Sequence, residues 1–237
     1  MKILAIETST KYLSVAFAKN ENILASFRDR GELKHSSLLI PAIRDVLKES
    51  GFLLRDIDAI ALSIGPGSFT GLRIGVAAVK AINLALNIPV IAIPTLDVIA
   101  YNFTGGKEEM LCPVIDAKKK KVYASFYKNR FPGLSGIEGV KKNSLKRLSD
   151  YILTDTEHLI GMINKRTLLF GDAVKIYESE LKKNPLVDVS HKEWFPSAEA
   201  VAILGTGKAV KKEFCNPDKL IPMYLHSQYC QVQGYKG

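Results

Sequence analysis

Two acids close short apolar runs in this 237-residue chain, and each leads through a polar turn into a second run with strand character. Glu7 ends ILAIE and is followed by Thr8, Ser9 and Thr10. Asp116 ends PVID and is followed by Ala117, then by Lys118, Lys119, Lys120 and Lys121. A carboxylate beside a tight turn at a strand end suits a nucleotide phosphate, because the turn's amides converge on the anion. Such amides come close to phosphate oxygens only where side chains are absent. Ser9 stands where that glycine would be in the first turn, and the second turn has none. A third turn, Phe170-Gly171-Asp172-Ala173, carries Gly171 alone where an adenosine-binding turn would show a glycine pair. Glu7, Thr8, Ser9, Asp116 and Gly171 therefore read as a vestigial nucleotide cleft. The four lysines are read two ways: as a solvated hairpin tip, or as a concentration of positive potential that binds phosphate.

Other chemistries lack their residues. No two of His35, His158, His191 and His226 lie four residues apart, so no histidine pair shares a helix face and no metal site is expected. Cys112, Cys215 and Cys230 are odd in number and without C-x-x-C spacing, and read as reduced thiols. Ser68 lies in G-P-G-S-F-T-G, which is not the G-x-S-x-G of a nucleophile elbow. That run has no lysine between Gly65 and Arg73, which excludes a Walker loop. Its glycine spacing and the Pro94 that ends the following strand also miss the dinucleotide fingerprint. No catalytic residue and no cofactor is expected.

The glycine run reads instead as a strand-to-helix turn, with Ser68 or Thr70 as the cap. Gly71 and Gly75 fall inside the helix, where glycine costs about 1 kcal/mol relative to alanine. Close packing would explain them. Gly71, Gly75, Ala78, Ala81 and Ala85 line adjacent faces that let another helix approach, either the one over residues 36–50 or one from another subunit. Arg73 is read as a solvated charge or as one half of an interfacial ion pair.

These residues need a scaffold, and the patterning describes one. Strands are expected over residues 2–7, 12–19 and 23–27, a helix over 36–50 with Pro41 in its first or second turn and Gly51 as its stop, a strand over 59–64, a helix over 70–86 and a short strand over 90–93. The order is α/β. The chain also resembles itself: Glu7 matches Asp116 at an offset of 109, with Phe17 on Phe126 and Lys19-Asn20 on Lys128-Asn129. Ile64-Gly65 matches Phe170-Gly171 at 106, and P-T-L-D-V-I-A at Pro94 matches P-S-A-E-A-V-A at Pro196 at 102, each read as an oxygen-capped helix start with an acid in its first turn. Two halves are expected, residues 1–104 and 105–237, divided near Gly105-Gly106. A duplicated strand-acid-turn-strand unit is the ground plan of the actin-like superfamily of sugar kinases and chaperone ATPases. That resemblance implies two first turns facing each other across a nucleotide cleft.

The formal charge of +9 divides as +2 for residues 1–103 and +7 for residues 104–237, so the basic character lies in the second half. It favours nucleic acid only mildly. No apolar run approaches the roughly 18 residues that span a bilayer, and Glu7 interrupts any signal-peptide core. A cytoplasmic protein with no membrane partner is expected.

The run Gly65-Pro66-Gly67-Ser68-Phe69-Thr70-Gly71-Leu72-Arg73-Ile74-Gly75 resembles the signature of the TsaB (YeaZ) family, the dimerisation subunit of the bacterial tRNA threonylcarbamoyladenosine complex. ILAIETST at the start, His35-Ser36-Ser37-Leu38-Leu39-Ile40-Pro41, Ile88-Pro89, Asp116-Ala117, Phe170-Gly171-Asp172 and Pro222-Met223-Tyr224-Leu225 extend the likeness over nearly the whole chain. The resemblance implies a non-catalytic partner subunit that binds and activates a TsaD-like paralogue, working with a TsaE-like ATPase; whether it homodimerises when alone stays open. It implies pairing through the first two helices, which here puts Ser36, Leu39, Ile43, Leu47, Thr70, Gly71, Arg73, Ile74, Gly75 and Ala78 at the interface. The paralogue's H-x-x-x-H metal positions fall on Thr95 and Ile99. Glu7 replaces a more usual aspartate, and His226 stands where arginine is common. The alternative is an active small-molecule kinase or ATPase of the actin-like superfamily; a peptidase has no nucleophile or metal to support it.

Overall fold

The computed structural model describes residues 1–29, 31, 34–103, 108–129, 145–192 and 194–225. The expected boundary at Gly105-Gly106, the His226 departure and Cys230 lie outside them. The chain forms two compact units. One contains Met1–Asn102 and Phe195–Met223; the other, among the described residues, contains Phe103–Trp194 and residues 224–225.

The first unit opens with β1 (Lys2–Glu7), β2 (Leu13–Lys19) and β3 (Asn22–Asp29), followed by helix α1 (His35–Ser50), β4 (Ala59–Ser63), helix α2 (Phe69–Leu86), β5 (Val90–Ile93) and helix α3 (Thr95–Tyr101). The sheet order is β3-β2-β1-β4-β5. β1 and β2 are antiparallel, with Glu7 opposite Ser14, while β1, β4 and β5 run parallel. Apolar side chains of β1, β2 and β4 pack with Leu39, Ile43 and Leu47 of α1 and Val76, Val79 and Ile82 of α2 into one core. Gly51 in the left-handed region stops α1 as expected, and Pro41 sits in its second turn. Residue 12 lies just before β2, and β3 runs two residues past its expected end.

The second unit contains β6 (Met110–Asp116), β7 (Lys121–Ala124), β8 (Tyr127–Asn129), β9 (Leu145–Arg147), β10 (Ile152–Asp155), α4 (Thr156–Gly161), β11 (Thr167–Phe170), α5 (Asp172–Leu181) and β12 (Val187–Ser190). Its main path is β10-β7-β6-β11-β12. β6 and β7 are antiparallel, as are β7 and β10; β6, β11 and β12 are parallel. This repeats the first sheet position by position, and is the duplicated actin-like arrangement that the internal match at Glu7 and Asp116 implies.

Helix α6 (Ala198–Val210) departs from the simple halving. It comes from the second half of the sequence and packs on the first sheet, opposite α1 and α2. A β-carbon on Gly205 would lie 2.7 Å from the Ala61 β-carbon, so the helix rides directly on β4. Ser197 caps it, its hydroxyl accepting from Ala200 N at 3.2 Å. The matching helix α3 differs: Thr95 is already helical, and its hydroxyl meets Ser63 Oγ at 2.9 Å instead of capping. The expected oxygen cap is present in the second copy alone.

Helix α2 is 18 residues long and apolar enough to cross a membrane by length and composition, although Arg73 and Lys80 interrupt its apolar run. Leu72, Val76, Val79 and Ile82 are buried on its inner side.

Candidate functional site

In the first unit the turn after β1 is covered by the segment that starts α2. Glu7, Thr8 and Ser9 are fully buried and Thr10 nearly so. Ser9 N donates to Glu7 Oε1 at 2.5 Å, closing the turn on its own acid. Ser68 N donates to the Ser9 carbonyl at 2.6 Å, and Ser68 Oγ caps α2 by accepting from Gly71 N at 3.2 Å. The glycines make this possible. A β-carbon on Gly67 would overlap the Ser9 carbonyl, one on Gly71 the Thr8 carbonyl, and one on Gly75 would come within 2.5 Å of Thr8 Oγ1. His35, buried at the start of α1, donates from Nε2 to the Thr10 carbonyl at 2.9 Å. Burial pushes the Glu7 carboxyl above the usual carboxylate range, opposed by the neighbouring Ser63 and Ser9. Among the described residues, Glu7 Oε2, Thr8 Oγ1 and Ser9 Oγ have no hydrogen-bond partner. Gly71 and Gly75 thus seat α2 on this turn, and the close approach their size permits is to Thr8, a strand-to-helix contact within the unit.

In the second unit the turn after β6 is tied down by its own lysine. Lys118 Nζ donates to Asp116 Oδ2 at 2.6 Å and Lys118 N to Oδ1 at 2.9 Å. Tyr177 OH donates to Oδ1 at 3.2 Å, its residue held in a non-helical conformation that kinks α5. Asp172 Oδ1, at the start of α5, accepts from Asp116 N at 2.8 Å. Burial works against ionisation of Asp116, yet Lys118 and Tyr177 outweigh it and its carboxyl titrates below the ordinary range. Asp172 moves the other way, through burial and the Asp116 charge. Lys118, Lys119 and Lys120 all lie in the left-handed region, with φ of 66°, 53° and 60°. Side chains there cost on the order of 1 kcal/mol each. All three are exposed, while Lys121 begins β7 and is half-buried. Gly171, at φ +133°, passes against the Val114 carbonyl. The sequence shows Asp172 only as part of the Gly171 turn, without a role, and does not mark Tyr177, because the α5 kink has no local signal.

The residues read as interface positions divide by helical face. Leu39, Ile43 and Leu47 are buried in the first unit's core, and Gly71 and Gly75 are buried against Thr8. Ile74 and Ala78 are half-buried; Ser36, Thr70 and Arg73 are exposed. The apolar periodicity that singles out Leu39, Ile43 and Leu47 is the mark of a face that packs on its own sheet. The outer faces carry a second apolar set: Ile40 of α1 is 57% exposed, and on α2 Phe69 is 54% and Leu84 91% exposed. The Arg73 guanidinium stacks 3.7 Å from the Phe69 ring centre. Ala77 and Ala81 lie between Arg73 and Leu84 and are exposed.

A doubled α/β chain with two acid-ended turns, each hydrogen-bonded by its own residues, has the fold of the actin-like class. Residues 30–151, about half of the chain, match the family model described as TsaD: tRNA N6-adenosine threonylcarbamoyltransferase. The chain is 28% identical over 236 residues to the Bacillus subtilis tRNA threonylcarbamoyladenosine biosynthesis protein TsaB, covering 95% of this chain and 94% of that protein. It is 30% identical over 200 residues to the TsaB of Buchnera aphidicola subsp. Schizaphis graminum, covering 84% and 90%. Among solved structures, YeaZ from Pseudomonas aeruginosa superimposes with a TM-score of 0.79 at 26% identity, covering 94% of this chain and 99% of that one. The chain belongs to the TsaB family.

Proposed function

We propose that this chain is a non-catalytic cytoplasmic subunit that binds and activates a TsaD-like paralogue for threonylcarbamoyl modification of the tRNA adenosine beside the anticodon. The observation that carries this reading is the placement of α2. Its inner side covers the turn after β1 and buries Thr8 and Ser9, while its outer side exposes Phe69, Arg73 and Leu84. An exposed aromatic and a prestacked arginine beside small residues are the composition of an interface anchor. In the second turn, the Lys118 ammonium already satisfies the Asp116 carboxylate. A TsaE-like ATPase joins the assembly, and without its partner the chain pairs with itself through the same face. Lys119, Lys120 and Lys121 contact tRNA when the complex is assembled.

The test is co-expression with a TsaD-like paralogue. The two chains co-elute and the paralogue gains activity, while the isolated chain turns over no ATP. Robust ATP hydrolysis by the isolated chain, abolished by Asp116→Ala, would overturn the proposal in favour of an active actin-like ATPase.

A further inference from the structure

A series of hydrogen bonds joins a buried acid to the start of α2. Glu7 Oε1 holds Ser9 N, the Ser9 carbonyl holds Ser68 N, and Ser68 caps the helix at Gly71. The close passage of Gly67, Gly71 and Gly75 over Thr8 and Ser9 leaves the helix no other seat. Glu7 at the head of this series is fully buried, and among the described residues no ion pair reaches it. The groups around it do not titrate: Ser14 lies opposite in β2, Ser63 comes from β4, Thr95 of α3 holds Ser63, and Ser9 closes the turn. Three ionisable side chains on neighbouring elements are engaged elsewhere. His35 of α1 is on the Thr10 carbonyl, Lys11 lies over the Tyr12 ring, and Glu199 of α6 pairs with Arg28. A carboxylate buried without a counter-charge is costly, and burial raises the Glu7 pKa above its ordinary value.

We propose that Glu7 is a positioning residue: it fixes Ser9, and through Ser9 and Ser68 it sets the first turn of α2, which carries Phe69 and Arg73. Its functional meaning rests on the reading of α2 as the partner surface. Deprotonation places an unpaired charge beneath the turn, and its desolvation cost, offset only in part by the Ser9 and Ser63 hydrogen bonds, lowers the stability of the unit. The sign follows from burial holding the folded carboxyl above its unfolded value. The stabilisation is complete below the unfolded glutamate value, about 4.3, and is lost as pH rises towards the folded value, at up to about tenfold in the unfolding equilibrium per pH unit.

Glu7→Gln and Glu7→Leu variants of the isolated chain test this by amide hydrogen exchange at Ser9, Ser68 and Gly71 and by unfolding as a function of pH. The glutamine variant keeps an acceptor, keeps those amides protected and loses the wild-type pH slope. The leucine variant removes the acceptor and speeds exchange at Ser68 and Gly71 by about tenfold relative to β5 amides, the equivalent of one hydrogen bond. A glutamine variant with the wild-type slope, or a leucine variant with α2 still protected, overturns the proposal. If the leucine variant does not fold, the glutamine pH profile decides. Capture of the TsaD-like paralogue by wild type and the glutamine variant is measured separately, so that failure of capture with the pH behaviour intact sinks the partner reading alone.

Discussion

The backbone of Gly71 lies against that of Thr8 so closely that a β-carbon on the glycine would overlap the Thr8 carbonyl oxygen. Alanine at position 71 would add about 1 kcal/mol of helix propensity, but it must force two backbones apart. Overpacking of that kind costs about 1–3 kcal/mol, and Gly71→Ala is expected to lower stability by about 2 kcal/mol. At Gly75 the obstacles are Thr8 Oγ1 at 2.5 Å and Leu62 Cδ1 at 3.0 Å, both side-chain ends that can turn aside. Gly75→Ala is therefore expected to cost less than about 1 kcal/mol. Denaturant midpoints of the two variants check this; equal losses would show that the backbone contact is not what sets the glycine.

The inner and outer faces of α1 and α2 should separate stability from binding. Leu39→Ala and Ile43→Ala open cavities in the core and should each destabilise the isolated chain by about 2–5 kcal/mol. Ile40→Asp and Leu84→Asp sit on the outer faces and should leave stability within about 0.5 kcal/mol. The same two changes should weaken capture of a TsaD-like paralogue by about tenfold or more. Unfolding curves beside a pull-down titration distinguish the two sets.

Lys118→Met removes the ammonium from Asp116, and the Asp116 carboxyl should then titrate higher. The wild-type carboxyl lies below its unfolded value, so its stabilisation is present above the unfolded aspartate value of about 3.9 and is lost as pH falls through the folded one. The methionine variant should lose less stability on the acid side than wild type does. A carboxyl-carbon NMR titration of Asp116 in both forms reads the shift directly. Because the lysine side chain is largely exposed, added salt should weaken the wild-type effect.

The lysine tip should act on tRNA unevenly. Lys118 is committed to Asp116, whereas Lys119 and Lys120 extend from the turn. Replacing Lys119 and Lys120 with alanine should reduce the salt slope of tRNA binding by the assembled complex by about 0.7–0.9 for each phosphate that the tip no longer neutralises. The Lys118 replacement should change it less. An unchanged slope in the double variant would remove the tip from the tRNA surface.

Much of the first unit is visible in its sequence because local signals agree there. A continuous apolar run defines β1, alternating large apolar residues define β2, Gly51 stops α1, and Ser68 caps α2. The doubling is visible for the same reason, since Glu7 and Asp116 end equivalent strands. What the sequence cannot show is which surface a small or apolar residue meets. Gly71 and Gly75 announce a close approach without naming Thr8. Leu39 and Leu84 are both leucines on amphipathic helices, and only the tertiary fold makes one core and the other surface. Asp172, Tyr177 and the left-handed lysines depend on contacts between distant segments, and the return of α6 to the first sheet is a long-range pairing with no local mark.

That return carries a cost during synthesis. Roughly 100 residues separate the end of α3 from the start of α6, and at about 5–20 residues per second they take about 5–20 s to emerge from a ribosome. Throughout that interval Ala61, Ile3 and their neighbours on this face of the first sheet lack the helix that packs on them in the folded unit. The nascent chain is therefore a substrate for chaperones that recognise exposed apolar strands, and a ribosome stalled before residue 198 should release a product that aggregates rather than a folded half.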